Sequence, residues 1–248
     1  MQYDALAPIY DRVMSHVDYE DWVELIHKVV ARFSRFPNPD IVEIGAGTGV
    51  LGSRLTDLGY RYFGSDICYP MIREARSKRD LAVCASDGRH LPFKKQFGVA
   101  VFLYDGINYL QNSQDYTTLF QSVYDILLPG GLFLFDITTR ENSIRHFTEY
   151  LDFEDYGDFS YVRHSYFDEI SSIQHNDFTI FKQTQNNPDL YQKFTDNHRQ
   201  RILSVSAIEK NIPPELFSKV GVWDGYSFKK FTPYSERVHF LLRKNGTA

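Results

Sequence analysis

Ile41, Val42 and Ile44 form a short apolar run interrupted only by the acid Glu43, and Gly45, Ala46, Gly47, Thr48 and Gly49 follow at once. So continuous an apolar stretch predicts a central parallel strand with helices over both faces. Glycines directly after it let the chain turn sharply and leave bare backbone for a ligand. Leu51, Leu55 and Leu58 then recur at helical spacing, and Gly59 stands where a helix C-cap belongs. Strand, glycine-rich turn and helix in this order point to an α/β unit in which a ligand could lie against the turn.

Spacing narrows the ligand. A dinucleotide fingerprint places its third glycine five positions after the first, whereas here Gly49 comes four after Gly45 and position five is Val50. Glu43, just before the turn, adds negative charge where a pyrophosphate would lie, and suits a cationic ligand better. The pattern Glu43, Gly45, Gly47, Gly49 resembles motif I of the class I S-adenosylmethionine (SAM) methyltransferases, whose cofactor carries a sulfonium and an ammonium. A plain structural turn in another α/β protein is the competing reading of this motif alone.

Composition bounds the alternatives. With 248 residues, 43% of them hydrophobic, the chain can build a sizeable core as one α/β domain with an insertion or as two small domains. A net charge of −5 argues against a scaffold held to nucleic acid by phosphate contacts. No apolar run reaches membrane-span length and the N-terminus lacks a signal pattern, so a cytoplasmic location is expected. Cys68 and Cys84 are the only cysteines, and no Cys/His cluster has metal-ligand spacing, so no metal is expected. The 17 Tyr and 20 Phe are denser after residue 145 than before it.

Further along the chain the acids repeat the pattern of Glu43. Asp66 follows a second predicted strand, residues 60–64, and lies 17 residues beyond Gly49, near the offset at which a carboxylate accepts two ribose hydroxyls. Asp87 follows a third, residues 81–85, and opens the sequence Asp87, Gly88, Arg89, His90, Leu91, Pro92, Phe93, which resembles the family's D-x-x-x-LPF element. Strand four, residues 99–103, enters a loop of Tyr104, Asp105, Gly106, Ile107, Asn108 and Tyr109, expected to face the reacting methyl. Ser113 is expected to cap the next helix. Leu128, Pro129, Gly130 and Gly131 end it, and strand five covers residues 132–137, giving the family's LxPGGxxxFD pattern. Before all of these, Tyr3, Asp4, Ala5, Leu6, Ala7, Pro8, Ile9, Tyr10 and Asp11 resemble the opening segment that lies over the cofactor as a lid in small-molecule methyltransferases. Trp22, Leu25, Ile26, Val29, Val30 and Phe33 form one apolar face of the following helix.

The resemblance covers residues 1–139 and 203–248 and implies a Rossmann-like, seven-stranded, mostly parallel sheet with helices on both faces. Residues 140–202 break the helix–strand rhythm and read as an inserted antiparallel β subdomain, a substrate cap or a dimer surface. For the cofactor, the resemblance implies contacts from Tyr3, Tyr10, Trp22, Glu43, Gly45, Ala46 and Gly47. It extends them to Asp66, Ile67, Met71, Asp87, Gly88 and Tyr104. The acceptor side is expected to draw on Asp105, Asn108, Tyr109 and Arg201, with Tyr10 and His198 as candidate catalytic groups, His198 being read as a surface residue. Positions 104–107 lack the (D/N)-P-P-(Y/F) motif of base-amino methyltransferases, so nucleic-acid bases are not the expected substrate. The implied activity is in-line methyl transfer from SAM to a nitrogen or oxygen of a small molecule, by a monomer or homodimer. A non-catalytic SAM-binding or protein-interaction module and a nicotinamide-dependent oxidoreductase are the alternatives.

Overall fold

The computed structural model describes Tyr3 and residues 5–246, and for Pro188 the backbone only. Met1, Gln2 and Asp4, part of the expected lid, lie outside the described residues. Strands β1 (Ile41–Ile44), β2 (Tyr62–Asp66), β3 (Val83–Ala85), β4 (Phe97–Phe102) and β5 (Leu127–Thr138) run parallel in the order β3, β2, β1, β4, β5. On β5 the sheet continues antiparallel through β12 (Arg237–Lys244), β10 (Phe217–Asp224) and β11 (Lys229–Lys230). The main sheet therefore has eight strands rather than the expected seven. The addition is the two-residue β11, too short to leave a sequence pattern. Strand five also starts earlier than expected: Leu128 to Gly131 belong to β5, and the register with β4 shifts between Phe97 and Val99.

Alternation along the strands divides the core in two. Ile41, Val99, Leu132 and Leu134 pack under α2 (Tyr19–Phe33), α3 (Val50–Asp57) and α4 (Tyr69–Lys78). Val42, Ala100, Phe133 and Phe135 face α5 (Ser113–Ile126) and α7 (Val205–Asn211). Asp18 caps α2 by accepting the Glu20 N–H, and Trp22, Leu25, Ile26, Val29 and Val30 form its buried stripe. Asn112, not Ser113, caps α5, accepting the Asp115 N–H at 3.0 Å.

Between β5 and α7 the chain forms α6 (Arg140–Phe147) and a second, antiparallel sheet of β6 (Glu149–Asp155), β7 (Phe159–Asp168), β8 (Ile173–Thr184) and β9 (Asn187–Arg201). Its inner face buries Phe159, Tyr161, Phe178 and Ile180 against Leu6, Ile9 and Val13, so the N-terminal segment, including the short α1 (Tyr10–Val13), is held beneath this sheet.

Candidate active site

A cleft with about 470 Å³ of free space, partly open to solvent, lies at the carboxyl ends of β1 and β4 and is lined by Tyr10, Trp22, Glu43, Gly45, Gly47 and Tyr104, among others. The turn that floors it needs glycine: Gly45 has φ +71°, and a Cβ there would stand 3.0 Å from the Phe102 ring. Gly49 has φ +81°, and a Cβ would come 2.7 Å from Leu81.

Glu43 is buried and accepts a 2.5 Å hydrogen bond from the Tyr62 hydroxyl. Burial pushes its carboxyl up to about 8, against the bond from Tyr62, which favours the anion. Asp66 holds the turn from the next strand. Its Oδ2 accepts the Gly47 N–H and its Oδ1 the Cys68 N–H, each at 2.8 Å. Burial raises its pKa while these two bonds oppose the rise. Ile67 beside it is exposed, whereas Met71 is buried with Ala7 and Cys68. Asp87 caps the short turn of Gly88–His90, and its carboxylate is gripped by the Arg89 guanidinium, which also reaches Asp115 at 2.5 Å. That grip holds Asp87 below the usual carboxylate range. Any contact with a ligand's amino group must share this carboxylate with Arg89.

The acceptor side is built differently from the sequence expectation. Asn108 is fully buried and structural: its amide donates to the Arg201 carbonyl at 2.9 Å and its Oδ1 accepts the Thr138 N–H at 3.1 Å. Arg201 points its guanidinium at the Gln111 carbonyl, so its fork is already engaged by the chain. His198 is not a surface residue but 2% exposed, because alternation along β9 turns Asp196, His198 and Gln200 inward. Its ring lies 4.1 Å from Tyr3, centroid to centroid, with Phe178 edge-on at 5.8 Å. Burial, helped by Arg199, lowers its pKa to about 4. Tyr10 packs edge-on to Tyr3 at 5.9 Å, and burial raises its hydroxyl well above the ordinary tyrosine value. Tyr3 and Tyr109 share a 2.7 Å hydroxyl–hydroxyl bond.

Sequence reasoning missed the group that anchors the loop after β4. Tyr104 and Asp105 both have left-handed backbone, φ +60° and +52°, and the Asp105 N–H is held by both oxygens of the fully buried Asp136, at 3.2 and 3.0 Å. Arg237 bridges the two acids, 2.9 Å from Asp105 Oδ1 and in contact with Asp136, with its guanidinium 5.3 Å from both the Trp22 and the Tyr104 ring. Gln200 donates to Asp105 from β9. Asp136 is the acid of the LxPGGxxxFD stretch, and its place at the end of an apolar strand, like that of Glu43, was the available signal.

Residues 41–131 match a methyltransferase domain family. YqeM of Bacillus subtilis (strain 168), named as a methyltransferase, is 28% identical over 254 residues, spanning 100% of this chain and 99% of that protein. An S-adenosylmethionine-dependent methyltransferase from Clostridium acetobutylicum ATCC 824 superposes with a TM-score of 0.79 at 24% identity, covering 98% of this chain and 99% of that one. The sugar N-methyltransferase KedS8 from Streptoalloteichus sp ATCC 53650 gives 0.77 at 14% identity, covering 98% and 95%. The fold is that of the class I methyltransferases. With a methyltransferase domain over residues 41–131 and full-length relatives named as methyltransferases, the chain resembles the SAM-dependent methyltransferases: it is an enzyme, and SAM is its cofactor. The nicotinamide alternative is thereby set aside.

The residues present fit that cofactor, since a buried acid at the cleft floor calls for a cation and the aromatic walls favour one. Glu43 then gives a proton-linkage prediction. Its folded pKa of about 8 exceeds the ordinary glutamate value of 4.5, so its contribution to stability is fully present below about 4.5 and is lost as pH rises through about 8. A bound ammonium favours the ionised acid, so binding at pH 7 should release close to one proton. Calorimetry of S-adenosylhomocysteine (SAH) binding in two buffers of different ionisation enthalpy reads this directly. Equal enthalpies for the wild-type protein, or proton release unchanged in Glu43→Gln, would refute it.

Proposed function

We propose that the enzyme transfers the methyl group of SAM to a nitrogen or oxygen of a small molecule. The observation that carries this reading is the roof over the acceptor side. The Tyr3 N–H donates to Asp196 of β9 at 2.9 Å, Lys182 of β8 donates to the Ala5 carbonyl at 2.7 Å, and Gln200 reaches down to Asp105. The antiparallel sheet and the N-terminal segment thus close over the loop after β4, a covered arrangement that suits a small acceptor better than a nucleic-acid duplex. Bound there, SAM supplies an activated methyl and a neutral thioether leaving group. The chain's part is alignment, which is worth several kcal/mol when the reacting atoms are held about 3 to 3.5 Å apart. Tyr3, Tyr10 and Tyr109 form the wall that orients the acceptor.

Turnover of SAM to SAH with a panel of small amines, alcohols and phenols tests the reading, with Tyr3→Phe expected to lower kcat/KM about tenfold. That variant removes one hydroxyl contact, a loss of about 1 kcal/mol or somewhat more. No turnover with any small acceptor, but methylation of RNA or protein, would overturn it.

The N-terminal segment is proposed to act as a lid. Asp11 fastens it to the glycine turn, accepting from the Thr48 hydroxyl at 2.5 Å and from Arg79 at 3.1 Å. Limited proteolysis should cut before Met14 in the free protein and be suppressed by SAH; equal cleavage in both states would argue against a lid. Leu151 and Phe153, exposed on β6, favour an additional role for the outer sheet edge as a contact between two copies, which sedimentation would read.

A further inference from the structure

The loop after β4 carries an unbalanced charge. Asp105 and Asp136 share one guanidinium, that of Arg237, and the amide of Gln200 is the other donor to Asp105. Two carboxylates and one guanidinium leave one negative charge in excess, at a place where the Asp136 side chain is 0% and the Asp105 side chain 14% exposed. An uncompensated buried charge is costly unless a partner arrives.

A second observation points to the same ligand. His198 is 2% exposed, and neither ring nitrogen has a hydrogen-bond partner among the described residues. It shares the inward face of β9 with Gln200, which touches Asp105, and its ring lies against Tyr3, whose hydroxyl is bonded to Tyr109. Its Nε2 faces Asp196 Oδ1 at 3.6 Å, beyond hydrogen-bond distance, and a neutral imidazole also carries one acceptor lone pair, for which the described residues supply no donor.

We propose that the acceptor is an amine, with Asp105 supplying its counter-charge and His198 accepting one of its N–H groups. This rests on the methyl-transfer reading and narrows it. The transfer itself distinguishes amines from oxygen acceptors. The neutral nitrogen's lone pair forms the new N–C bond, the C–S bond breaks with its electrons left on sulfur, and the positive charge moves from sulfur to nitrogen. A proton on the resulting ammonium is lost to water on release. With a phenolate or carboxylate acceptor the two charges would instead cancel, and a standing negative charge beside the acceptor would repel the nucleophile. The excess charge on the Asp105 side therefore favours the transition state for an amine and opposes that for an anionic oxygen.

The test uses the full chain loaded with SAH and a ligand-observed NMR screen of matched fragments, each scaffold presented as an amine, an alcohol or phenol, and a carboxylate. Amines should be enriched at least fivefold among the binders, and Asp105→Asn should abolish that enrichment while SAH affinity stays within about threefold. Asparagine tolerates the left-handed backbone at this position, and retained SAH affinity shows that the variant is folded. His198→Phe should weaken amine binders about tenfold, with His198→Gln recovering part of the loss. Absence of amine enrichment, or enrichment untouched by Asp105→Asn, overturns the inference while leaving methyl transfer standing. Failure of the wild-type protein to bind SAH overturns both.

Discussion

Arg237→Met is expected to cost about 3 to 5 kcal/mol of unfolding free energy, the range for removing one partner of a buried ion pair. For a chain of this size that lowers the melting temperature by roughly 6 to 20 °C. The magnitude comes from what is left behind. Among the described residues, Asp136 would keep the N–H of Asp105 as a donor but lose its cationic partner, and Asp105 would keep the Gln200 amide as its side-chain donor. Burial already raises the pKa of both acids, and Arg237 is the chief group opposing that rise. Without the guanidinium, folding requires at least one of them to take up a proton. Stability of the variant should therefore recover on acidification, in the direction opposite to ordinary acid denaturation. A second substitution separates charge from packing. Asp136→Asn added to Arg237→Met should restore part of the lost stability, because the pair couples through one contact. If the double variant melts no higher than the single one, or if Arg237→Met melts within about 2 °C of the parent, the cluster is not the electrostatic anchor described above.

That cluster also marks the boundary of what the sequence made legible. Glu43 and Asp66 were readable because each ends a short apolar strand beside glycine, where period, charge and turn chemistry coincide. The helix carrying Trp22 to Val30 was readable from one apolar stripe. Arg237 and Asp136 are 101 residues apart, and they meet only because β12 pairs antiparallel with β5 in a register that sets Arg237 beside Thr138 and His239 beside Asp136. Nothing local in either segment encodes that register. His198 was misread for a related reason. The run Asn197, His198, Arg199, Gln200, Arg201 looks like a solvated strand, and its polar residues give no apolar alternation. The structure shows that the alternation is present, with Arg199 turned to Asp177 on the outside and His198 and Gln200 buried. The helix Arg140–Phe147 escaped notice because it is short and buries only Ser143, leaving no apolar stripe.

Asp66→Ala is expected to weaken SAM and SAH by about 100-fold and by the same factor, because the ribose proposed as this carboxylate's ligand is identical in the two. Each hydrogen bond to a charged group is worth about 1.5 to 3 kcal/mol, and a carboxylate has lone pairs beyond the two already given to the Gly47 and Cys68 N–H groups. The substitution therefore acts twice, removing the acceptor for the hydroxyls and releasing the turn whose Gly47 must hold φ +54°. The two contributions separate in Asp66→Asn, which keeps one acceptor oxygen and loses the charge. Its affinity should fall between those of the parent and the alanine variant, with a melting temperature close to the parent's. Asp87→Ala supplies the contrast. Because Arg89 already occupies that carboxylate, the loss of affinity should be smaller, about tenfold, but discrimination between adenine and hypoxanthine forms of the ligand should fall with it, since adenine's 6-amino group can donate to an acid where hypoxanthine presents an acceptor oxygen. Calorimetric titration of all three variants with both ligands decides the matter. Asp66→Ala binding SAH within about threefold of the parent would leave Asp66 as a turn residue alone and move the ribose contact elsewhere along the cleft.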